Sequence, residues 1–90
     1  MTGWIEAEDL KAFYIYKYQV EHIPYDMVEI AKKINRTVSA LKMRIDNFKF
    51  EDTSRGLSKS SQQTKRVYQK YKDKSELELR KLAFPELFDD

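Results

Sequence analysis

Residues 25 to 48, YDMVEIAKKINRTVSALKMRIDNF, carry two apolar stripes at helical spacing on either side of a short break. The first stripe is Met27, Ile30, Ala31 and Ile34, and the second is Val38, Leu41, Ile45 and Phe48. Apolar residues spaced by three and four positions predict a helix that buries one side. Between the stripes, Asn35 can end a helix in a left-handed conformation, and Thr37 can cap the next helix through its hydroxyl oxygen. The segment therefore predicts two helices joined by a sharp turn, the pattern of a helix-turn-helix.

The rest of the chain favours helices as well. Two glycines and two prolines in 90 residues are too few for a sheet rich in tight turns, and no segment alternates steadily between polar and apolar residues. Hydrophobic residues make up 41% of the chain and aromatic residues 13%, enough for a small core. We predict an all-α fold, in which residues 1–90 form one domain, a small bundle of four to five helices that contains the helix-turn-helix.

Three further helices are expected around this segment. A first helix over residues 6–21 buries a stripe of Leu10, Phe13, Tyr14 and Tyr18, and Ile15 lies on its opposite side. Ser60 or Ser61 caps a helix whose inward residues are Thr64, Val67, Tyr68 and Tyr71. The last helix begins at Ser75, which has capping-box spacing to Glu78, buries Leu79, Leu82 and Ala83, and ends before Pro85. Residues 49–60 are predicted as a loop that Phe50 and Leu57 attach to the core.

Charge is unevenly distributed along the chain although its net value is only +2. Residues 36–74 carry 11 basic and 4 acidic side chains, which makes the loop and helix of residues 49–74 basic. Residues 75–90 carry 2 basic and 5 acidic side chains, so the C-terminal helix and tail are acidic. A basic region that begins at the second helix of the helix-turn-helix indicates a surface for phosphates, although ordinary solvated faces can have the same charge.

The second helix of the helix-turn-helix has the composition of a helix that reads double-stranded DNA in the major groove. Its side chains outside the apolar stripe are mostly small or cationic, which permits close approach and contact with phosphates on both walls of the groove. The residues predicted to face base edges are Arg36, Ser39, Ala40, Met43 and Asn47, although Asn47 could equally be a helix-end cap. The residues predicted to bind phosphates are Lys42, Arg44, Lys49, Arg55, Lys65 and Arg66. The alternative is a helical hairpin within an ordinary bundle.

Most of the chain resembles the helical module that precedes HNH-type nuclease domains in restriction endonucleases. In that family an arginine-serine or arginine-threonine step is followed by an "sA(l/v)xMrxxNF" segment, an acidic loop, a "GLS" turn and a helix bearing an aromatic residue. The matching residues are Arg36 to Ala40, Met43, Arg44, Asn47, Phe48, Asp52, Gly56 to Ser58, and Tyr68. The resemblance implies a helical module associated with DNA.

Catalytic chemistry is not expected of this chain. An HNH centre needs paired histidines around a divalent metal, and His22 is the only histidine. The chain also has no cysteine and no phosphate-cradling glycine loop, so we predict neither an enzyme nor a bound metal or cofactor. No apolar run reaches membrane-spanning length and the N-terminus is acidic, which predicts a cytoplasmic protein without a membrane partner. With the resemblance to the module of restriction endonucleases, we expect the protein to come from a bacterium or its phage.

Three partners are compatible with the sequence. The first is double-stranded DNA, bound by a monomer or by a homodimer in which Ile15 or the tail of Leu87 and Phe88 joins the two copies. The second is a protein, in which case the chain would be a phage-encoded inhibitor or accessory factor of a host enzyme and would use apolar anchors such as Ile15 or Met43. The third, with less support, is single-stranded nucleic acid stacked on the tyrosines.

Overall fold

A computed structural model describes residues 3–53 and 61–89, and all the regular elements in these two ranges are helical. The elements are α1 (Glu6–Tyr18), α2 (Met27–Lys33), α3 (Val38–Thr53), α4 (Gln62–Tyr71), α5 (Glu76–Ala83) and a closing 3-10 helix (Pro85–Phe88). The prediction of a small all-α bundle is confirmed. Within the described ranges no helix combines the length and the apolar character needed to cross a membrane.

Helix α1 forms the centre of the bundle, and α3, α4 and α5 all pack against it. Its apolar residues Leu10, Phe13 and Tyr14 are buried, as predicted. Ile15, predicted to lie outside, is only 3% exposed. The prediction failed because α1 has neighbours on several sides, so that almost its whole circumference is covered. Ile15 is therefore excluded as a dimer contact or an exposed anchor.

Helices α1 and α3 run in the same direction. Three contacts along their length establish this, and they join Asp9 to Arg44, Phe13 to Phe48, and Tyr16 to Asp52. The residue numbers rise together on the two helices at intervals close to one turn, which only a parallel pair allows.

Helix α4 crosses α1, and α5 is antiparallel to it. On α4, Gln63 contacts Asp9 and Tyr68 contacts Phe13, whereas Tyr71 donates a hydrogen bond to Glu6, so the contacts do not follow one order along the two helices. On α5 the order is reversed: Tyr14 of α1 donates a hydrogen bond to Glu76, and the earlier residue Lys11 donates one to the carbonyl of Ala83. Helix α3 thus runs along α1 in the same direction, and α5 returns along it.

The connection between α2 and α3 has the local structure that the sequence predicts. Asp26 caps α2 in a capping box with Glu29. Asn35 is left-handed with φ 56°, and the hydroxyl oxygen of Thr37 accepts a hydrogen bond of 3.0 Å from the Ala40 amide. Both predicted roles are confirmed. The apolar stripes are confirmed too, because Ile30, Ile34, Leu41 and Phe48 are buried while Met27, Val38 and Ile45 pack against the core.

Two element boundaries differ from the prediction. Helix α1 ends at Tyr18 rather than at residue 21, because Gln19 takes φ 60° and leaves the helical conformation. Helix α3 continues to Thr53, so the predicted loop of residues 49–60 begins too early. Its last turn is stabilised where Thr53 donates a hydrogen bond to the Lys49 carbonyl and Asp52 accepts hydrogen bonds from two tyrosines. Predictions for Arg55, Leu57 and Ser60 lie outside the described residues.

The predicted caps of the last two helices are confirmed, with Ser61 at α4 and Ser75 in a capping box with Glu78 at α5. On α5, Leu79 and Ala83 are buried as expected, but Leu82 is 41% exposed. Helix α5 packs against α1 and the closing 3-10 helix, and Leu82 stays outside these contacts. In the 3-10 helix Leu87 packs against the core while Phe88 stays 38% exposed.

Candidate nucleic-acid interface

The outward side of α3 is formed by residues spaced by three and four positions. Ser39, Lys42, Met43 and Lys49 are exposed, Met43 to 59%, and Asp46 is partly exposed on the same side. We call these five residues the outer face of α3. Two predicted base-facing residues, Ala40 and Asn47, lie at its margin and are only partly exposed. The side-chain oxygen of Asn47 is buried and accepts no hydrogen bond from the described residues, so the structure does not support its role as a helix cap.

Arg36 and Arg44 bind carboxylates within the chain. Arg36 forms an ion pair of 3.1 Å with Glu8 and donates a hydrogen bond to the Gly3 carbonyl. Arg44 contacts Asp9 through two hydrogen bonds of 2.5 and 2.7 Å, and its side chain is 11% exposed. Both guanidinium groups also stack on the ring of Trp4, at 4.4 and 4.9 Å. We therefore leave Arg36 and Arg44 out of the proposed interface.

Asp9 is the centre of a polar cluster that the sequence analysis missed. Its carboxylate is fully buried and accepts hydrogen bonds from Arg44 of α3 and from Gln63 of α4. Gln63 also donates to the backbone carbonyl of Trp4. We call these four residues the Asp9 hub. Position 9 lies one turn before Phe13 on the buried side of α1, and an acidic residue at such a position indicates a buried partner.

Four other cations of the predicted interface have no carboxylate partner among the described residues. Lys42 and Lys49 of α3, and Lys65 and Arg66 of α4, form no ion pair with a described residue, and the last two are exposed. Lys70, further along α4, instead lies 3.8 Å from Glu6. The chain thus keeps four of the predicted phosphate ligands available on its surface.

Neither α3 nor α4 has an acidic residue in its first turn. Because Asp9 contacts both Arg44 and Gln63, the start of α4 lies beside the middle of α3, and the first turn of α3 extends beyond it. Helix N-termini carry partial positive charge and unpaired amide groups, so this arrangement favours anions.

Carboxylates bind the hydroxyl groups of five tyrosines. The pairs are Tyr14 with Glu76, Tyr16 and Tyr68 with Asp52, Tyr25 with Glu86, and Tyr71 with Glu6. These contacts join different parts of the bundle, and the rings of Tyr14 and Tyr71 are buried. The tyrosines therefore act in the fold, which weakens the prediction that they stack on single-stranded nucleic acid.

Asp52, near the C-terminal end of α3, joins this helix to α1 and α4. It accepts hydrogen bonds of 2.5 Å from Tyr16 and 2.7 Å from Tyr68, beside a surface cavity of about 280 Å³ that Lys17 and Lys72 help to line. The hydrogen bond from Tyr16, followed by that from Tyr68, holds the pKa of Asp52 below its usual 3.8. Burial and then the bond to Asp52 raise the pKa of Tyr16 to about 12. The bond to Asp52 and then burial do the same for Tyr68.

These shifts predict how stability depends on pH. Asp52 contributes its full stabilisation above pH 3.8, and the contribution is lost as the pH falls through its lowered pKa. Tyr16 and Tyr68 contribute below pH 10.0 and lose the contribution as the pH rises towards about 12. Asp52→Asn should therefore reduce the fall of the melting temperature on acidification, measured by circular dichroism. Asp73→Asn, which changes an exposed carboxylate beside the same cavity, is the control. An equal acid response in both variants would contradict this assignment.

Among residues 3–53 and 61–89, no cluster of histidine and carboxylate side chains is arranged to hold a metal ion. His22 is exposed in the turn after α1. Comparison with protein-family models, with curated proteins and with solved structures gives no match. The resemblance to the module that precedes HNH nuclease domains therefore rests on the sequence motif alone.

Proposed function

We propose that this protein is a non-enzymatic DNA-binding protein that places the outer face of α3 in the major groove of double-stranded DNA. The observation that carries the proposal is the contrast between two groups of cations. Arg36 and Arg44 are committed to carboxylates of α1, whereas Lys42 and Lys49 lie on the surface without a described partner. A helix whose surface cations are unpaired is suited to phosphates.

The dimensions and the chemistry of α3 suit a groove. Its 16 residues correspond to roughly 24 Å of helix, and the major groove of B-form DNA admits an α-helix. Ser39 and Met43 are proposed to meet base edges, where Met43 suits the methyl group of thymine and Ser39 suits polar edges. Ala40 and Asn47 would contribute only from the margin of this face.

Two sets of cations would bind the phosphates of the DNA backbone. Lys42 and Lys49 lie two turns apart on α3, and Lys65 and Arg66 are exposed on α4, where we propose that they bind further phosphates. The acid-free first turns of both helices add partial positive charge from the backbone. The connection between α2 and α3 and the resemblance to a DNA-associated module agree with this role, and a cytoplasmic location in a bacterial or phage-infected cell would follow from it.

Replacing both α3 lysines should weaken DNA binding in a way that salt reveals. For the Lys42→Ala and Lys49→Ala double variant we expect the slope of log affinity against log salt to become shallower by about two units, because each phosphate contact contributes about 0.9. Fluorescence anisotropy with a labelled random duplex measures this slope. The control is Lys74→Ala with Lys81→Ala, which removes the same charge from exposed positions outside α3. Equal effects of the two double variants would show that net charge, and not α3, controls binding.

A protein partner is the second candidate, and the exposure of Met43 favours it. A methionine that is 59% exposed beside unpaired lysines could anchor a protein interface as well as a base contact. Met43→Ser separates the two roles. For a protein partner it should abolish binding, whereas for DNA it should change sequence preference and leave the salt slope unchanged.

A further inference from the structure

We propose that the Asp9 hub is a positioning device that holds the first turn of α4 against the middle of α3, so that the cations of both helices meet one DNA duplex together. The inference rests on the proposed function. It assigns Asp9, Arg44 and Gln63 a role that does not involve contact with DNA.

The geometry of the hub joins three helices at one carboxylate. Arg44 contacts both oxygens of Asp9, and the side-chain nitrogen of Gln63 lies 2.5 Å from the Asp9 oxygen that Arg44 Nη2 also contacts. The same nitrogen of Gln63 lies 2.6 Å from the carbonyl oxygen of Trp4. A bidentate guanidinium contact has a defined orientation. This arrangement therefore fixes the positions of α3 and α4 along the axis of α1.

Burial makes the hub selective for one register. Asp9 is fully buried, and a buried charge is tolerated only when its partners stay in place. Sliding α3 or α4 by one turn would separate Asp9 from Arg44 or from Gln63. A second polar contact, in which Tyr68 of α4 donates a hydrogen bond to Asp52 of α3, lies at the surface, and we expect it to restrict sliding less than the buried hub. Apolar contacts, such as that of Phe13 with Phe48, also restrict sliding less.

The register has a consequence for the surface. Lys65 and Arg66 follow Gln63 by two and three positions, so the hub sets where these exposed cations lie along α3. If the hub positions them for DNA, their contribution to binding depends on Gln63. If it only stabilises the fold, their contribution stays the same in every variant that is folded.

A thermodynamic cycle tests this dependence. Lys65→Ala with Arg66→Ala is introduced into the wild type and into Gln63→Met, which preserves side-chain length but removes the donor. In the wild type we expect the salt slope for a random duplex to become shallower by about two units and the affinity to fall on the order of tenfold or more. In Gln63→Met we expect the same substitutions to change the slope by less than about half a unit. Gln62→Met, at the exposed neighbouring position, is the matched control and should behave as the wild type.

Residual dipolar couplings of the free proteins give a second readout that does not need DNA. Couplings from α3 and α4 should fit one rigid body in the wild type and in Gln62→Met but not in Gln63→Met. Two results would overturn the positioning role. One is that Lys65→Ala with Arg66→Ala reduces the salt slope equally in the wild type and in Gln63→Met, and the other is that α3 and α4 of Gln63→Met still fit one rigid body. Either result would leave the proposed function standing. Absence of DNA binding by the wild type would instead reject the proposed function, and this role with it.

Discussion

Arg44→Met is expected to lower the free energy of unfolding by about 3 to 5 kcal/mol, because it removes the counter-ion of a buried charge. Asp9 is fully buried and contacts Arg44 through both carboxylate oxygens, so the variant leaves a carboxylate that water cannot reach. Gln63 alone is a neutral donor and cannot compensate the charge. A loss of this size is a large part of the total stability of about 5 to 15 kcal/mol that is typical of a domain.

Urea denaturation followed by circular dichroism measures this effect. Lys42→Met, two residues earlier on the exposed side of α3, is the control and should change stability by less than about 0.5 kcal/mol. Combining Arg44→Met with Asp9→Leu should recover much of the loss, since buried ion pairs can be replaced by apolar residues of similar size. A stable Arg44→Met single variant would show that the ion pair does not hold α3 on α1.

Phe13→Ala is expected to cost a similar amount, about 3 to 5 kcal/mol, through the cavity that it leaves. Phe13 is fully buried between α1, α3 and α4, with its ring 5.1 Å from Phe48 of α3 and 5.9 Å from Tyr68 of α4. Removing it empties the layer between the Asp9 hub and Asp52. The same denaturation experiment measures the loss.

Ile5→Ala provides the comparison, because Ile5 is 60% exposed and its truncation opens no cavity. We expect the comparison variant to stay within about 0.5 kcal/mol of the wild type. If Phe13→Ala lowered the free energy of unfolding no more than Ile5→Ala, Phe13 would not lie at the centre of the hydrophobic core.

Local features of the fold could be predicted from the sequence because their causes are local. Asn35 and Thr37 have the predicted roles since a left-handed residue and a cap depend on the backbone within a few positions. The stripe containing Leu41 and Phe48 is buried because its spacing places those residues on one side of α3.

Features that depend on neighbouring helices could not be predicted in the same way. Ile15 and Leu82 were assigned to the wrong environments because the number of helices that cover α1 and α5 is set by the tertiary structure. Sequence spacing likewise does not distinguish a cation that binds a distant carboxylate from one that faces water. Arg44 and Lys42 differ in this way, and the reason is Asp9, which lies 35 residues before Arg44.

The central claim is tested most directly by titrating the wild-type protein against a random labelled duplex by fluorescence anisotropy, at about 50 and 200 mM salt. The proposed interface predicts micromolar binding at the lower salt concentration that weakens steeply at the higher one. No binding at about 50 mM salt would contradict the claim that the outer face of α3 docks on DNA.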